Sequence, residues 1–457
     1  MRTRGSAILL ACFGVALTLG VVAPSAAGPS PAFGGPKSYG AGRYPFAVAI
    51  GDLNGDGKLD LAVANYGAST VSVLLNRGGG RFRAKVDHAT GPHPSSVAIG
   101  DLNGDRKADL AIANQGTEDK PGATVSVLLN KGDASFEAKR DFQTGRAPRS
   151  VALGDLNGDG KPDLATANDL SNTGTASVLL NTGDGTFESP VDYATSAGAY
   201  TVAIGDLNDD RMPDLAVADE RGVSVFLNSG NGSFATTLHY NTGGDFAISV
   251  TLGDLNGDSK PDLAVGNIGG DYKVSVLVNR GDGTFSLKRY DAGAGYSVAM
   301  GDLNGDRKPD LVATDSLNGP DESCDAGDGT AVYVLVNRGD SRFARLAYET
   351  GCDPVSIAIG DLNGDGKRDI ATANNGANTV SVLMNATGRC VVPQLRYTPL
   401  PPAKRAITRA NCRVGALRSA YSKVIPRGRV ISTTPRAGAV LPKGGKVNLV
   451  VSRGRKR

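Results

Sequence analysis

Short apolar runs, broken by clusters of glycine, aspartate and asparagine, recur along most of the chain. One unit shows the order. Val97-Ala98-Ile99 enters an acidic stretch, and Asp109-Leu110-Ala111-Ile112-Ala113 leaves it. A polar turn precedes Val125-Ser126-Val127-Leu128-Leu129; a third turn leads to Phe136, and Phe142 opens the approach to the next unit. These runs are too short and too β-branched to sustain helices. Each unit therefore predicts four antiparallel strands, with the acidic stretch as the loop between the first and second.

That stretch, Gly-Asp-Leu-Asn-x-Asp-x-x-x-Asp, starts its acidic part at Asp52, Asp101, Asp155, Asp206, Asp254, Asp302 and Asp361, at spacings of 49, 54, 51, 48, 48 and 59 residues. Seven copies of about 50 residues match one four-stranded sheet each, arranged radially. The fold expected is mainly β: a seven-bladed β-propeller followed by a small C-terminal α/β domain. Phe33, Phe82, Phe136, Phe187, Phe234, Phe285 and Phe343 each precede an acidic loop, and nothing equivalent follows the seventh. Phe33 to Tyr39 should therefore supply the outer strand of the last blade, hiding an edge that would otherwise recruit another chain. An open array, or six complete blades with remnants, is the alternative.

In the first loop, Asp52, Asn54, Asp56 and Asp60 occupy relative positions 1, 3, 5 and 9, and Lys58 at position 7 can offer only its carbonyl. Oxygen donors at this spacing suit a hard, larger cation, calcium rather than magnesium, and the lack of His or Cys disfavours zinc or copper. The same set recurs as Asp101, Asn103, Asp105, Asp109; as Asp155, Asn157, Asp159, Asp163; and as Asp206, Asn208, Asp210, Asp214. It continues as Asp254, Asn256, Asp258, Asp262; Asp302, Asn304, Asp306, Asp310; and Asp361, Asn363, Asp365, Asp369. The competing reading is a turn whose Asp and Asn cap backbone amides without an ion. Three carboxylates per loop repel one another without a cation, which favours metal. Position 6 is glycine at Gly57, Gly160 and Gly366 but Arg106, Arg211, Ser259 and Arg307 elsewhere. Up to seven calcium ions of unequal occupancy are expected, bound best by the loops at Asp52, Asp155 and Asp361.

Charge adds a division that periodicity does not. Residues 391–457 hold 16 Lys or Arg and no acid; removing those 16 from the 49 in the chain leaves 33 basic against 46 acidic residues before them. An acidic body thus carries a basic module. Met1-Arg2-Thr3-Arg4, the apolar stretch Ala7 to Ala23 and Ser25-Ala26-Ala27 read as an export leader over 1–27, with an uncleaved anchor or a lipoprotein at Cys12 as alternatives. No other segment is apolar enough to span a bilayer. The domains expected are 28–389 for the propeller and 390–457 for the module, in a secreted or bacterial cell-surface protein. Cys324, Cys352, Cys390 and Cys412 permit three connectivities; Cys390–Cys412 and Cys324–Cys352 are favoured.

With these motifs in hand, residues of about 30–389 resemble the FG-GAP/VCBS repeats that also build the head propeller of integrin α subunits. That resemblance implies calcium in the seven loops and an extracellular recognition platform. Val392-Pro393-Gln394-Leu395, a short basic helix from Ala403 to Asn411 and Pro435-Arg436-Ala437-Gly438 resemble a PASTA domain over about 391–454. Members of that family associate with peptidoglycan or its fragments, which makes cell-wall polymer the expected partner, with an extracellular protein or glycan as the propeller's ligand.

The histidines, His88, His93 and His239, fit outer-strand or surface positions better than catalytic ones. No Gly-rich phosphate loop follows a strand, and two tyrosines, Tyr397 and Tyr421, make a poor stacking platform for nucleic acid. The reading is a non-catalytic calcium-binding scaffold or adhesion protein. A lectin-like propeller is the alternative, and a secreted hydrolase with a carboxylate pair the more distant one.

Overall fold

The computed structural model describes residues 30–117, 119–170, 173–244, 246–269, 274–290, 295–315, 330–339 and 342–456. The expected leader, Cys12 and Cys324 lie outside these residues, and with Cys324 the expected Cys324–Cys352 pair. Among the described residues no helix is long and apolar enough to cross a membrane.

The described residues form seven four-stranded antiparallel sheets in chain order. The first contains Pro45–Gly51, Asp60–Asn65, Thr70–Leu74 and Val86–Ala89. Its second strand is buried along its whole length, which is why Leu61-Ala62-Val63-Ala64 is continuously apolar rather than alternating. The outer strand Val86–Ala89 is mostly exposed and correspondingly polar. The seventh sheet has only three strands from its own repeat: Pro354–Gly360, Asp369–Asn374 and Thr379–Leu383. As expected, its fourth comes from the chain start. Lys37–Gly40 pairs antiparallel with Thr379–Leu383, and Phe33 bridges Asn385.

Neighbouring sheets are joined by a buried asparagine at the end of each third strand. The Asn130 side-chain amide donates to the Leu53 carbonyl of the preceding sheet at 2.7 Å and to Ala108 of its own at 2.7 Å. Asn181, Asn228, Asn279, Asn337 and Asn385 make the same bonds to Leu102, Leu156, Leu207, Leu255 and Leu303. Asn76 of the first sheet donates to Leu362 of the seventh at 2.8 Å. A second set of contacts runs round the outside. Each outer-strand aromatic meets the next unit's phenylalanine edge-on: Tyr193 on Phe234 at 5.3 Å, for instance, Tyr348 on Phe33 at 5.0 Å and Tyr39 on Phe82 at 5.2 Å. His88 occupies the aromatic position of its repeat, 4.8 Å from Phe136, so its role is packing.

The C-terminal segment folds separately. A parallel pair, Arg413–Ala420 and Lys446–Ser452, is extended by Val430–Thr434 and covered by the helix Leu400–Arg409. Val392, Leu395, Ala403, Ile407, Val430, Val447 and Leu449 form its core. Cys390 and Cys412 are disulfide-bonded, with Cα atoms 4.7 Å apart, tying the helix end to the first strand. The helix starts earlier than Ala403. Pro401 and Pro402 sit in its first turn, where the missing N–H groups have no helical acceptor to lose. The segment touches the sheets through Gly35, whose N–H donates to the Gly438 carbonyl at 3.1 Å.

If the asparagine bonds are equivalent all the way round, Asn76→Ala should destabilise as much as Asn228→Ala. Each leaves two buried carbonyls unpaired, a cost of about 2–3 kcal/mol. Denaturant unfolding of the two variants checks this; a negligible cost for Asn76→Ala alone would mean that the first and seventh sheets are not joined in solution.

Candidate functional site

All seven acidic loops share one turn, in which the position-1 carboxylate accepts the position-6 N–H. In the first, Asp52 accepts the Asp56 and Gly57 N–H groups, at 3.2 and 2.7 Å, through its two oxygens. Asn54 Oδ1 also accepts the Asp56 N–H, at 3.0 Å, so oxygens from positions 1 and 3 flank a single amide. Asp56 Oδ1 accepts the Lys58 N–H at 3.0 Å. The loop thus gathers short oxygen donors on one turn, a donor chemistry that fits a hard cation.

Two features differ from the simple spacing argument. The Lys58 ammonium lies 2.8 Å from Asp56 Oδ2 and holds that carboxyl below its ordinary range, and Lys107–Asp105 and Lys161–Asp159 repeat the pair at 3.0 and 3.2 Å. The position-9 aspartate, fully buried, is turned into the backbone: Asp60 accepts the Leu53 and Asn76 N–H groups at 3.0 and 2.7 Å. Asp109, Asp163, Asp214, Asp262, Asp310 and Asp369 do the same in their loops. Among the described residues no three acidic, His or Cys side chains converge closely enough to form a metal cluster by themselves. Positions 1, 3, 5 and 9, together with the position-7 carbonyl, are the donors that would hold calcium, and the position-9 carboxylate also bonds the backbone.

The substitutions at position 6 leave the turn intact at a cost. Arg106, Arg211, Ser259 and Arg307 have φ between 65° and 70°, where Gly57 has 77°. A side chain in this left-handed region costs about 1–2 kcal/mol relative to glycine's freedom.

At the other edge of the innermost strands lies a feature the motif search missed. Those strands, one from every sheet, line a cavity of about 420 Å³. The residue five places before each loop glycine faces it: Phe46, Ser95, Arg149, Tyr200, Ile248, Tyr296 and Val355. Phe46 and Tyr296 stand 6.5 Å apart at 79°, and Phe46 also packs on Tyr66 at 5.5 Å. Arg149 lies over the Tyr200 ring, 4.8 Å from its centre, and donates from Nε to Asp169 at 2.7 Å. Burial, reinforced by the Asp169 charge, pushes the Tyr200 phenol up to about 12, and burial raises Tyr296 as well. The next position, Ser96, Ser150, Ser249 or Ser356, is small and structural: its hydroxyl accepts an N–H from the following sheet. A column-by-column comparison of the repeats would have exposed the ring, as the place where seven otherwise similar copies disagree.

Seven four-stranded sheets with acidic loops on one edge, followed by a small disulfide-tied α/β unit, define a β-repeat protein with a separate terminal module. Models of the FG-GAP-like repeat match residues 52–112, 101–166, 155–217, 206–265 and 264–313, and the FG-GAP repeat matches 294–335 and 354–383. The chain belongs to this repeat family, and residues 391–453 match the PASTA domain. A probable serine/threonine-protein kinase of Clostridium perfringens is 31% identical over 85 residues, 19% of this chain and 12% of the kinase. Among solved structures, BBS1N in its complex with ARL6DN is similar at a TM-score of 0.52 and 13% identity, over 77% of this chain and 96% of that one. An Agrocybe aegerita lectin described as recognising non-reducing terminal N-acetylglucosamine aligns at 0.47 and 20% identity, over 74% and 85%.

Burial lifts the position-9 carboxyls above the ordinary 3.8, Asp60, Asp109 and Asp214 to about 6 and Asp310 and Asp369 to about 7. The folded protein then keeps protons that the unfolded chain has lost, so stability falls as pH rises from about 4 to about 7. In chelator-containing buffer the melting temperature should be higher near pH 5 than near pH 8. A curve that rises over this interval contradicts the buried-hub geometry.

Proposed function

We propose that this chain is an exported, non-catalytic carbohydrate-binding protein: a closed seven-bladed propeller, braced by calcium in its loops and held at the cell wall by its basic module. The observation that carries the reading is the lining of the central cavity. It offers aromatic rings and hydroxyls, its one guanidinium is paired with Asp169, and among the described residues its walls contain no carboxylate or imidazole. Such a surface stacks on and hydrogen-bonds to neutral ligands, but has no acid–base pair for glycoside hydrolysis. Closure is supported by the asparagine bond from Asn76 to Leu362 and by packing of Val48, Leu61 and Val63 with Ala371 and Ala373 in one core.

Wall attachment is supported by the charge of the module and by its PASTA match. Tyr421, Lys423, Arg455 and Lys456 line a recess of about 540 Å³, beside an exposed Val424. Cations around an exposed tyrosine suit anionic wall polymer, through attraction that salt screens.

The full chain should co-sediment with purified bacterial walls at low salt, and raising NaCl to about 0.5 M should release most of it. The triple variant Lys423→Glu, Arg455→Glu, Lys456→Glu should bind at least fivefold less. Wall binding indifferent to both changes would remove the basic module as the attachment.

A further inference from the structure

In the seven-residue ring five places before the loop glycines, Ser95 bonds the Pro148 carbonyl of the next sheet and Ile248 and Val355 are buried, whereas Phe46, Tyr200 and Tyr296 are only partly covered and face the cavity. Phe, Ser, Arg, Tyr, Ile, Tyr and Val occupy equivalent places in equivalent sheets, so no single side chain is required there by the repeat. The next position is more uniform: it is always a small residue, and at Ser96, Ser150, Ser249 and Ser356 its hydroxyl accepts a backbone N–H of the neighbouring sheet. What the variable aromatic members of the ring contribute is contributed to the cavity.

Its contents are not scattered at random. Tyr296 and Phe46 come from sheets separated by the seventh, yet their rings approach to 6.5 Å, forming an aromatic arc on one side. Arg149 and Tyr200, from the third and fourth sheets, stack at 4.8 Å on the other. Among the described residues, the Tyr200 and Tyr296 hydroxyls and the terminal nitrogens of Arg149 make no hydrogen bond. Both phenols stay protonated through the physiological range, because burial and, for Tyr200, the Asp169 charge oppose ionisation. Aromatic faces on one side and unspent donors on the other are what a sugar ring requires, since its C–H face is apolar and its edge is hydroxylated. The Asp169 carboxylate already balances the one cation, so a neutral ligand fits better than an anion. A volume of about 420 Å³ admits a sugar ring or two and excludes a folded peptide.

We propose that this ring is the recognition site, taking one or two pyranose units of a neutral glycan. Phe46 and Tyr296, whose planes cross at 79°, form a corner in which one ring stacks on the sugar face and the other packs against its edge, while Tyr200 and Arg149 bond its hydroxyls. The proposal rests on the carbohydrate-binding reading of this cavity and adds to it the residues that hold the sugar, their roles and the size of the bound unit.

The test uses the full chain in calcium buffer against soluble gluco-, manno-, galacto- and chito-oligosaccharides, with affinities from calorimetry. Tyr296→Ala and Phe46→Ala should weaken the bound sugar at least tenfold. Tyr200→Phe, which removes one hydroxyl and keeps the ring, should weaken it several-fold, while Val191→Ala on an exposed outer strand should leave it unchanged. Because the chain has no tryptophan, Ile248→Trp places a single reporter in the ring whose emission should shift on sugar addition. Melting curves within a few degrees of the parent keep folding defects apart from binding. A sugar bound with undiminished affinity by Tyr296→Ala and Tyr200→Phe would overturn this site and leave the carbohydrate reading standing. Binding of none of the four series would overturn both.

Discussion

Everything in the sheet region depends on one buried polar pair, the last aspartate of each acidic loop and the asparagine at the end of the third strand. Asp60 and Asn76 show its form: the carboxylate takes the asparagine N–H, while the asparagine amide reaches back to the preceding sheet. Apolar burial alone would not settle which sheet follows which, since each presents much the same Leu-Ala-Val surface. Fully buried polar groups are costly unless paired, and here pairing is complete only in one relative placement of adjacent sheets. The pair therefore sets register and order, while the apolar clusters between sheets supply most of the favourable burial.

The same aspartate ends the loop, and this joins metal chemistry to architecture. Asp60 cannot move toward a cation without loosening Leu53 and Asn76, and through Asn76 the seventh sheet. In the first loop, positions 1, 3 and 5 have no such tie; they bond within their own turn and to Lys58 at position 7. Calcium in a loop would relieve the mutual repulsion of its carboxylates, with the buried hub holding the position-9 aspartate in place. This division lets arginine replace glycine at position 6 without altering the path of the chain.

Much of this was legible in the residues. The repeat of Gly-Asp-Leu-Asn gave the number of sheets, and the surplus Phe33 identified the strand that completes the last one, because both follow from spacing. The Cys390–Cys412 bond was favoured correctly from compartment and local order. The asparagines were not singled out, since an asparagine before glycine at a strand end carries the same signature as an ordinary turn. The helix start was missed because Pro401-Pro402 reads as a breaker unless its place in the first turn is known. The channel ring escaped for a different reason: attention to what recurs discards the column that varies.

That column bears on how a repeat protein acquires a specific ligand. Seven equivalent loops and seven equivalent clamps can brace a wheel, but a symmetric wheel offers the same face seven times. Recognition of one molecule on the axis needs the symmetry broken where the copies converge, at side chains the clamps do not need. Phe46, Arg149, Tyr200 and Tyr296 break it there, within reach of one another across the cavity although they are up to 250 residues apart in sequence. The basic module breaks it a second time, at the rim, where it meets Gly35, just before the strand that closes the last sheet. Axis and rim are thus independent in position and in chemistry, one neutral and aromatic, the other cationic, so ligands at the two proposed places would not obstruct each other.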